Sequence, residues 1–469
     1  MSDALWRWNA VEIVGAVKLG RLSCREVVTA CLDRLAEVND AVNAVTVMLA
    51  DDALCAAAEA DRRVAHGDTL GPLHGVPVTI KENVDLAGSA TTNGVVAFQD
   101  VVANSDSPVV ANLKRAGAIV IGRTNTPAFG LRFHTDNALR GPTLNPWNKA
   151  RTPGGSSGGA AASLAVGITP IAHGNDYGGS IRYPAHCCGI TGIRPSLGRV
   201  PAFNATHLDE RSLTGQTFSV QGPMARRVGD VRLALGAMAR RDMRDPWWVP
   251  APLVGPQPTR PIRVALTTDP GREGVNPFVA EAVRRAGHAL ERAGYAVEEV
   301  DPPDVDAISR LWSRLVWTEI RHTVEPVARK YGDPDFLRVL DMVLASAPPL
   351  DLDGYINDWA RRAGYVRDWF LFLERYPLVV GPVSAEPALA VGFDTDASVD
   401  GERLRLIQRM LLAVNVLGLP AVAVPAGIVD GLPLGVQVIG SRYREDLCLD
   451  AAEAIEAQCK LDTPIDPRW

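Results

Sequence analysis

Two glycine–serine clusters stand close together in this chain, Gly154-Gly155-Ser156-Ser157-Gly158-Gly159 and Gly178-Gly179-Ser180. Glycine loses more conformational freedom on ordering than any other residue, so dense glycine needs a reason. One reason is close approach of backbone amides to an anion or a developing oxyanion. A helix starting just after Ser156 would add partial positive charge at that end. A flexible turn is the plainer reading of either cluster by itself. The first cluster lacks the Gly-Lys-Ser/Thr ending of a phosphate-binding loop, and Gly-x-Gly-x-x-Gly with its ribose-binding acid is absent. A serine nucleophile needs a base within reach, and none of the eight histidines has a motif context that marks it as one. His-Glu-x-x-His is missing, which argues against a zinc hydrolase.

Composition bounds the rest. The 469 residues carry a net charge of −6 with no Lys/Arg cluster, which argues against a nucleic-acid partner, because phosphate binding needs a basic patch. No apolar stretch of about 18 residues runs unbroken, so no membrane-spanning helix is expected. The N-terminus has no basic start followed by an apolar run, so a cytoplasmic protein is expected. The seven cysteines are odd in number and show no Cys-x-x-Cys pair, which fits reduced thiols packed as small apolar residues.

The elements that must position the serines read as α/β alternation. Residues 9–63 look helical, with Leu32, Leu35 and Val38 on one face. Residues 76–81 form a strand in which Val76, Val78 and Ile80 alternate with Pro77, Thr79 and Lys81. Lys81 then points away from the apolar face, at the carboxyl end where open α/β sheets tend to place their chemistry. A helix over 108–117 leads into a strand over 118–122, and a helix over 160–166 into a strand over 168–172. The Pro-rich 249–261 stretch reads as a linker or a surface crossing. Alternation resumes at 262–268 and 277–293, helices follow over 303–332 and 354–375, and a strand over 377–382. Two strands, 419–425 and 434–439, are joined across Asp430-Gly431, and a helix over 445–458 closes the chain. Trp312 and Trp317 are expected in the core.

Asn145-Pro146-Trp147-Asn148, Arg151-Thr152-Pro153-Gly154-Gly155-Ser156-Ser157-Gly158-Gly159 and Gly178-Gly179-Ser180-Ile181-Arg182 together resemble the amidase signature family. Gly75-Val76-Pro77-Val78-Thr79-Ile80-Lys81-Glu82-Asn83 resembles its lysine segment. Gly222-Pro223-Met224-Ala225-Arg226, Gly418-Leu419-Pro420-Ala421 and Gly431-Leu432-Pro433-Leu434-Gly435-Val436-Gln437 resemble its later landmarks. The likeness runs from about residue 10 to 460. It implies one α/β/α sandwich around a large mixed sheet, spanning 1–469, with a signature core at about 65–225 that N-terminal helices 5–63 and the C-terminal part 262–460 complete. It implies a Ser-Ser-Lys triad of Ser180 as nucleophile, Ser156 as relay after a cis Gly155–Ser156 bond, and Lys81 as base. The backbone amides of Tyr177, Gly178, Gly179 and Ser180 would hold the oxyanion.

Around that triad, Ser157 is expected to support the loop or cap the following helix, Asp176 to accept backbone amides, and Arg182 to pair with a carboxylate. Phe129, Phe133, His134 and Gly155 are the candidate substrate contacts. Asn175 and Tyr177 flank Asp176 where many relatives carry Thr and a small or aliphatic residue; Tyr177 would narrow the pocket or offer its phenol to substrate. The reaction implied is hydrolysis of a small carboxamide through an acyl-enzyme, with esters or carbamates open to the same machinery and no metal or organic cofactor required. The alternatives are a carbamate hydrolase, a glutaminase-type amidotransferase subunit and an inactive binding protein on the same scaffold. The expected partner is a small amide-type molecule, with neither nucleic acid nor membrane, and a homodimer is the assembly to test.

Overall fold

The computed structural model of the protein describes residues 4–207 and 209–469. Eleven strands form one mixed sheet: β1 (Val45–Met48), β2 (Pro77–Lys81), β3 (Ile119–Thr124), β4 (Ile171–Asp176), β5 (Thr191–Arg194), β6 (Val220–Ala225), β7 (Arg263–Leu266), β8 (Ala296–Glu299), β9 (Leu378–Pro382), β10 (Ala421–Val429) and β11 (Leu432–Gly440). Their order is β1-β3-β2-β4-β6-β5-β10-β11-β9-β7-β8. β2 runs parallel to both β3 and β4, while the central strands from β4 to β9 pair antiparallel. Side chains alternate between two cores on opposite faces. Val264, Val380, Val422 and Val438 lie in one, and their neighbours Ala265, Val379, Ala421 and Ile439 in the other, as the two-residue period of a strand requires. This is the α/β architecture with a large mixed sheet that the resemblance implies.

Several local expectations change. The 9–63 stretch is not helical throughout: Asn43 adopts a left-handed conformation that ends the helix Cys24–Val42, and Val45–Met48 then pairs with β3 as an edge strand. β4 begins at Ile171 rather than 168, after Pro170, which has no amide proton for a ladder. All five residues of β2 are buried. The alternation there separates two covered faces rather than a covered and an open one, because helices, among them Cys24–Val42 and Gly158–Ala165, pack on the sheet at β2. The 303–332 stretch divides into Val305–Thr323 and Glu325–Tyr331, with Pro326 in the first turn of the second helix, where its missing N–H does no harm.

A further helix, Pro334–Ser346, lies outside the expected elements although its signal is present: Asp333 caps it through Phe336 N at 2.8 Å, with Pro334 in first position. The 249–261 stretch crosses the surface without regular structure, tied down by Val249 N to Gly198 O (2.9 Å) and Gly255 N to the Asp446 carboxylate (3.0 Å). No described helix is long and apolar enough to cross a membrane. The seven cysteines are free thiols, and all but Cys55 are buried.

Candidate active site

Lys81 ends β2, and its side chain is wholly buried. The parallel neighbour β4 brings Asn175 alongside, and the loop before the helix Gly158–Ala165 brings Ser156 and Ser157 from the other side. Lys81 Nζ lies 2.8 Å from Ser156 Oγ, 3.1 Å from Ser157 Oγ and 2.7 Å from Asn175 Oδ1. Burial pushes the lysine well below its ordinary range, against the opposing pull of the Asp176 carboxylate. Taking an ammonium out of water favours its neutral form.

The serine loop is fixed by backbone contacts. The Gly155–Ser156 peptide is cis. A Cβ on Gly155 would lie 2.2 Å from the Arg132 carbonyl oxygen, so only glycine lets these segments meet. Thr135 Oγ1 donates to Gly154 O at 2.8 Å and accepts from Gly158 N at 3.1 Å. Ser157 is the residue before the helix, yet its side chain does not cap it; the hydroxyl faces Lys81 instead. Asn175 links the network outward, its Nδ2 donating to Asn83 Oδ1 at 3.0 Å.

Ser180 sits in the turn that leaves β4. The Asp176 carboxylate organises this turn by accepting from Gly179 N (3.0 Å), Ile181 N (3.2 Å) and Arg182 Nε and Nη2 (both 3.0 Å). Burial raises the Asp176 carboxyl, but the Arg182 and Arg194 guanidiniums and Asn415 outweigh it and hold it below the usual carboxylate range. Arg182 also donates to Gln437 Oε1 and Asn415 Oδ1, at 2.9 and 2.7 Å. The Gly179 amide, expected among the oxyanion donors, is thus committed to Asp176; the Tyr177, Gly178 and Ser180 amides make no such bond. Trp312 Nε1 donates to Tyr177 O at 2.9 Å, and a Cβ on Gly179 would lie 2.5 Å from Leu411 Cδ1.

The Ser180 hydroxyl has no hydrogen-bond partner among the described residues. It lines a cleft, partly open to solvent, together with Gly155, Phe133 and Tyr177. The Tyr177 phenol is already paired with Thr214 Oγ1 at 2.6 Å, so Tyr177 contributes its ring. Leu131, Trp312, Trp317, Val343, Leu404 and Leu412 make the wall apolar, while Arg132, Arg405, Ser313 and Gln408 add polar groups. Both arginines are engaged: Arg132 with Asp394 (3.2 Å), Arg405 with Asp306 and Glu402 (2.7 Å each).

Two expected substrate contacts lie elsewhere. Phe129 packs against Phe98 and Phe336 beside a separate cavity. His134 is buried with Nδ1 3.0 Å from Thr152 Oγ1, and burial lowers its imidazole to about 4. Trp312 lies in the core as expected and Trp317 packs against the same cluster, and both also line the cleft. Their helix supplies both, and its amphipathic pattern cannot distinguish a face packed on protein from one packed on a cleft. Asn175 as a lysine partner and Gln408 as a wall residue carried no motif.

The family model for Amidase matches residues 26–449. Indoleacetamide hydrolase of Bradyrhizobium diazoefficiens is 50% identical over 456 residues, covering 96% of this chain and 86% of that protein. A Glutamyl-tRNA(Gln) amidotransferase subunit of Symbiobacterium thermophilum is 33% identical over 475 residues, 94% of each chain. Among solved structures, a bacterial aryl acylamidase of the amidase signature family superposes with a TM-score of 0.84 at 30% identity, covering 98% of this chain and 97% of that one. On these grounds the chain belongs to the amidase signature family and is an amidase, an enzyme that hydrolyses carbon–nitrogen bonds.

Proposed function

We propose that this amidase hydrolyses a primary arylacetamide of the indoleacetamide kind, releasing ammonia, through an acyl-enzyme on Ser180 with Ser156 as relay and Lys81 as base. The observation that carries the mechanism is the buried Lys81 amine in hydrogen-bond contact with Ser156. A neutral amine has two N–H donors and one lone pair. Asn175 Oδ1 can only accept, and the Ser157 hydroxyl is turned toward Asn175 O at 3.5 Å, which leaves its lone pairs for Lys81. The two N–H bonds are then spent on Asn175 and Ser157, and the lone pair is left for the Ser156 proton. Ser156 Oγ in turn can accept from Ser180.

In the acylation step Ser180 Oγ attacks the amide carbon as its proton passes to Ser156 Oγ, whose own proton passes to Lys81 Nζ. The Tyr177, Gly178 and Ser180 amides receive the oxyanion; one such donor is typically worth about 3 kcal/mol. The proton returns through Ser156 to the leaving nitrogen, the C–N bond breaks, and ammonia departs. Water then attacks the ester by the same relay, giving the carboxylic acid and free Ser180. The apolar aromatic wall suits an aryl acyl group, and the 50% identity to an indoleacetamide hydrolase supports that class. A glutamine substrate would bring a charged α-carboxylate, and the two arginines of the cleft are already paired with carboxylates.

The test is hydrolysis of indole-3-acetamide, methyl indole-3-acetate and a matched aryl carbamate by the wild type and Ser180→Ala. The expected result is ammonia release from the acetamide, abolished by the substitution. Turnover of the carbamate with none of the acetamide, or equal rates in Ser180→Ala, would overturn the proposal.

A further inference from the structure

Gln408 stands between the helices Gly401–Ile407 and Arg409–Leu417, with 5% of its surface exposed, and lines the apolar cleft. Its backbone continues the helical ladder, donating to Leu404 O and accepting from Leu412 N. Its side-chain amide has no hydrogen-bond partner among the described residues. The wall's arginines pair with carboxylates, although Arg132 Nη1 makes no hydrogen bond, and Ser313 Oγ is bonded to Ser309 O at 3.4 Å. The amide faces the cleft, where water reaches it; a ring bound there displaces that water and leaves the amide unpaired unless the ring supplies a partner.

We infer that the Gln408 side-chain carbonyl accepts a hydrogen bond from a ring N–H on the acyl group, and so selects indole-type arylacetamides over shape-matched rings without a donor. This rests on the arylacetamide reading of the same site. The geometry of the wall carries it. Leu412, one turn beyond Gln408, faces the turn that holds Ser180: a Cβ on Gly178 would lie 3.3 Å from Leu412 Cδ2 and 3.0 Å from Trp312 Cζ2. Gln408 lies one helical turn, about 5.4 Å along the axis, from Leu412. In an indole-3-acetamide the reacting carbonyl carbon and the ring nitrogen are four bonds apart, roughly 5 Å. A ring lying along Trp312 and Leu412, with its carboxamide at Ser180, brings its N–H to the level of Gln408. The residue is a specificity determinant; it takes no part in the proton relay.

The experiment compares kcat/KM for indole-3-acetamide and benzofuran-3-acetamide, which replaces N–H by oxygen at nearly constant shape, in the wild type and in Gln408→Met. A buried amide left unpaired by the donor-free ring should cost the wild type about tenfold or more, and Gln408→Met should reduce that preference to within about twofold. Equal wild-type rates on the two rings would overturn the inference without any variant, which also decides the matter if Gln408→Met fails to fold. A folded Gln408→Met that keeps the full preference would overturn it as well. Turnover of neither ring would instead sink the arylacetamide reading, and this inference with it.

Discussion

The floor and the wall of the cleft are built on opposite plans. On the floor, every polar side chain around the Ser180 hydroxyl is partnered: Lys81 touches three oxygens, Asp176 four N–H donors from its own turn, and Arg182 four acceptor groups. The floor is anchored at strand ends and glycine turns, where a Cβ at Gly155 or Gly179 would collide with neighbouring atoms. The wall is made of helices between residues 305 and 417, contributing Trp312, Trp317, Val343, Leu404 and Leu412 with one unpaired amide. A saturated polar network in a low dielectric holds one geometry and tolerates little change. Apolar packing tolerates substitution of similar volume. The chemistry is therefore expected to be the stiff property of this protein and the acyl specificity the adjustable one.

The largest effects should fall on the floor. Lys81→Ala and Ser156→Ala are each expected to lower kcat by at least about a thousandfold with a much smaller change in KM, and the double variant should be little worse than either, because members of a relay act as a unit. Steady-state kinetics of the three proteins checks this, and additive losses would show that the two residues do not share a proton path.

Next in size is Asp176→Asn. It leaves the Arg182 guanidinium buried without its charge partner, which should destabilise the fold by about 3–5 kcal/mol, read as a lower denaturation midpoint. The sign with pH follows from the depressed carboxyl: the stabilisation from ionised Asp176 is full above about pH 4, the unfolded value, and is lost only as pH falls toward the lower folded one. The variant and wild type should thus converge in strong acid.

On the wall, Trp317→Ala should raise KM about tenfold for an arylacetamide while lowering kcat less, since about 1.5 kcal/mol of apolar contact is removed from substrate and transition state alike. A larger fall in kcat than rise in KM would make the wall part of the reacting geometry and erase the contrast with the floor. The smallest change joins the two regions. Activity should rise with pH through the depressed Lys81 pKa, because only the neutral amine can accept the Ser156 proton. Asn175→Asp would put a carboxylate where the 2.7 Å amide contact now stands, favour the ammonium, and move the acid limb of kcat/KM upward by about one to two units. An unmoved limb would remove Lys81 as the titrating base.

The same contrast explains what could be read from the amino acids. The floor was legible through the likeness to the amidase signature family, and not from local pattern alone. The glycines, adjacent serines and strand-end lysine carry meaning together as segments of that family's signature, while the sheet that carries them announces itself by alternation. The wall was not. Trp312 and Trp317 pack with the core and line the cleft as well, and the apolar pattern of their helix does not reveal the second role. Phe129 and His134 look like cleft residues because they neighbour Phe133 in sequence, yet the backbone around Phe129, with φ at 55°, turns it toward Phe98 and Phe336. Gln408 comes to the site only through packing of helices more than 200 residues beyond Ser180, which no short spacing encodes. Asn175 was visible as a departure from the family pattern, but its contact with Lys81 depends on the β2–β4 pairing.

The central claim is that Ser180 is the nucleophile that the network serves. The most direct measurement is reaction with a fluorophosphonate followed by peptide mass mapping, on the wild type and on Ser180→Ala. The account predicts one stoichiometric adduct, on the peptide containing Ser180, and none in the variant. An adduct on Ser156 or Ser157, or undiminished labelling of Ser180→Ala, would contradict it.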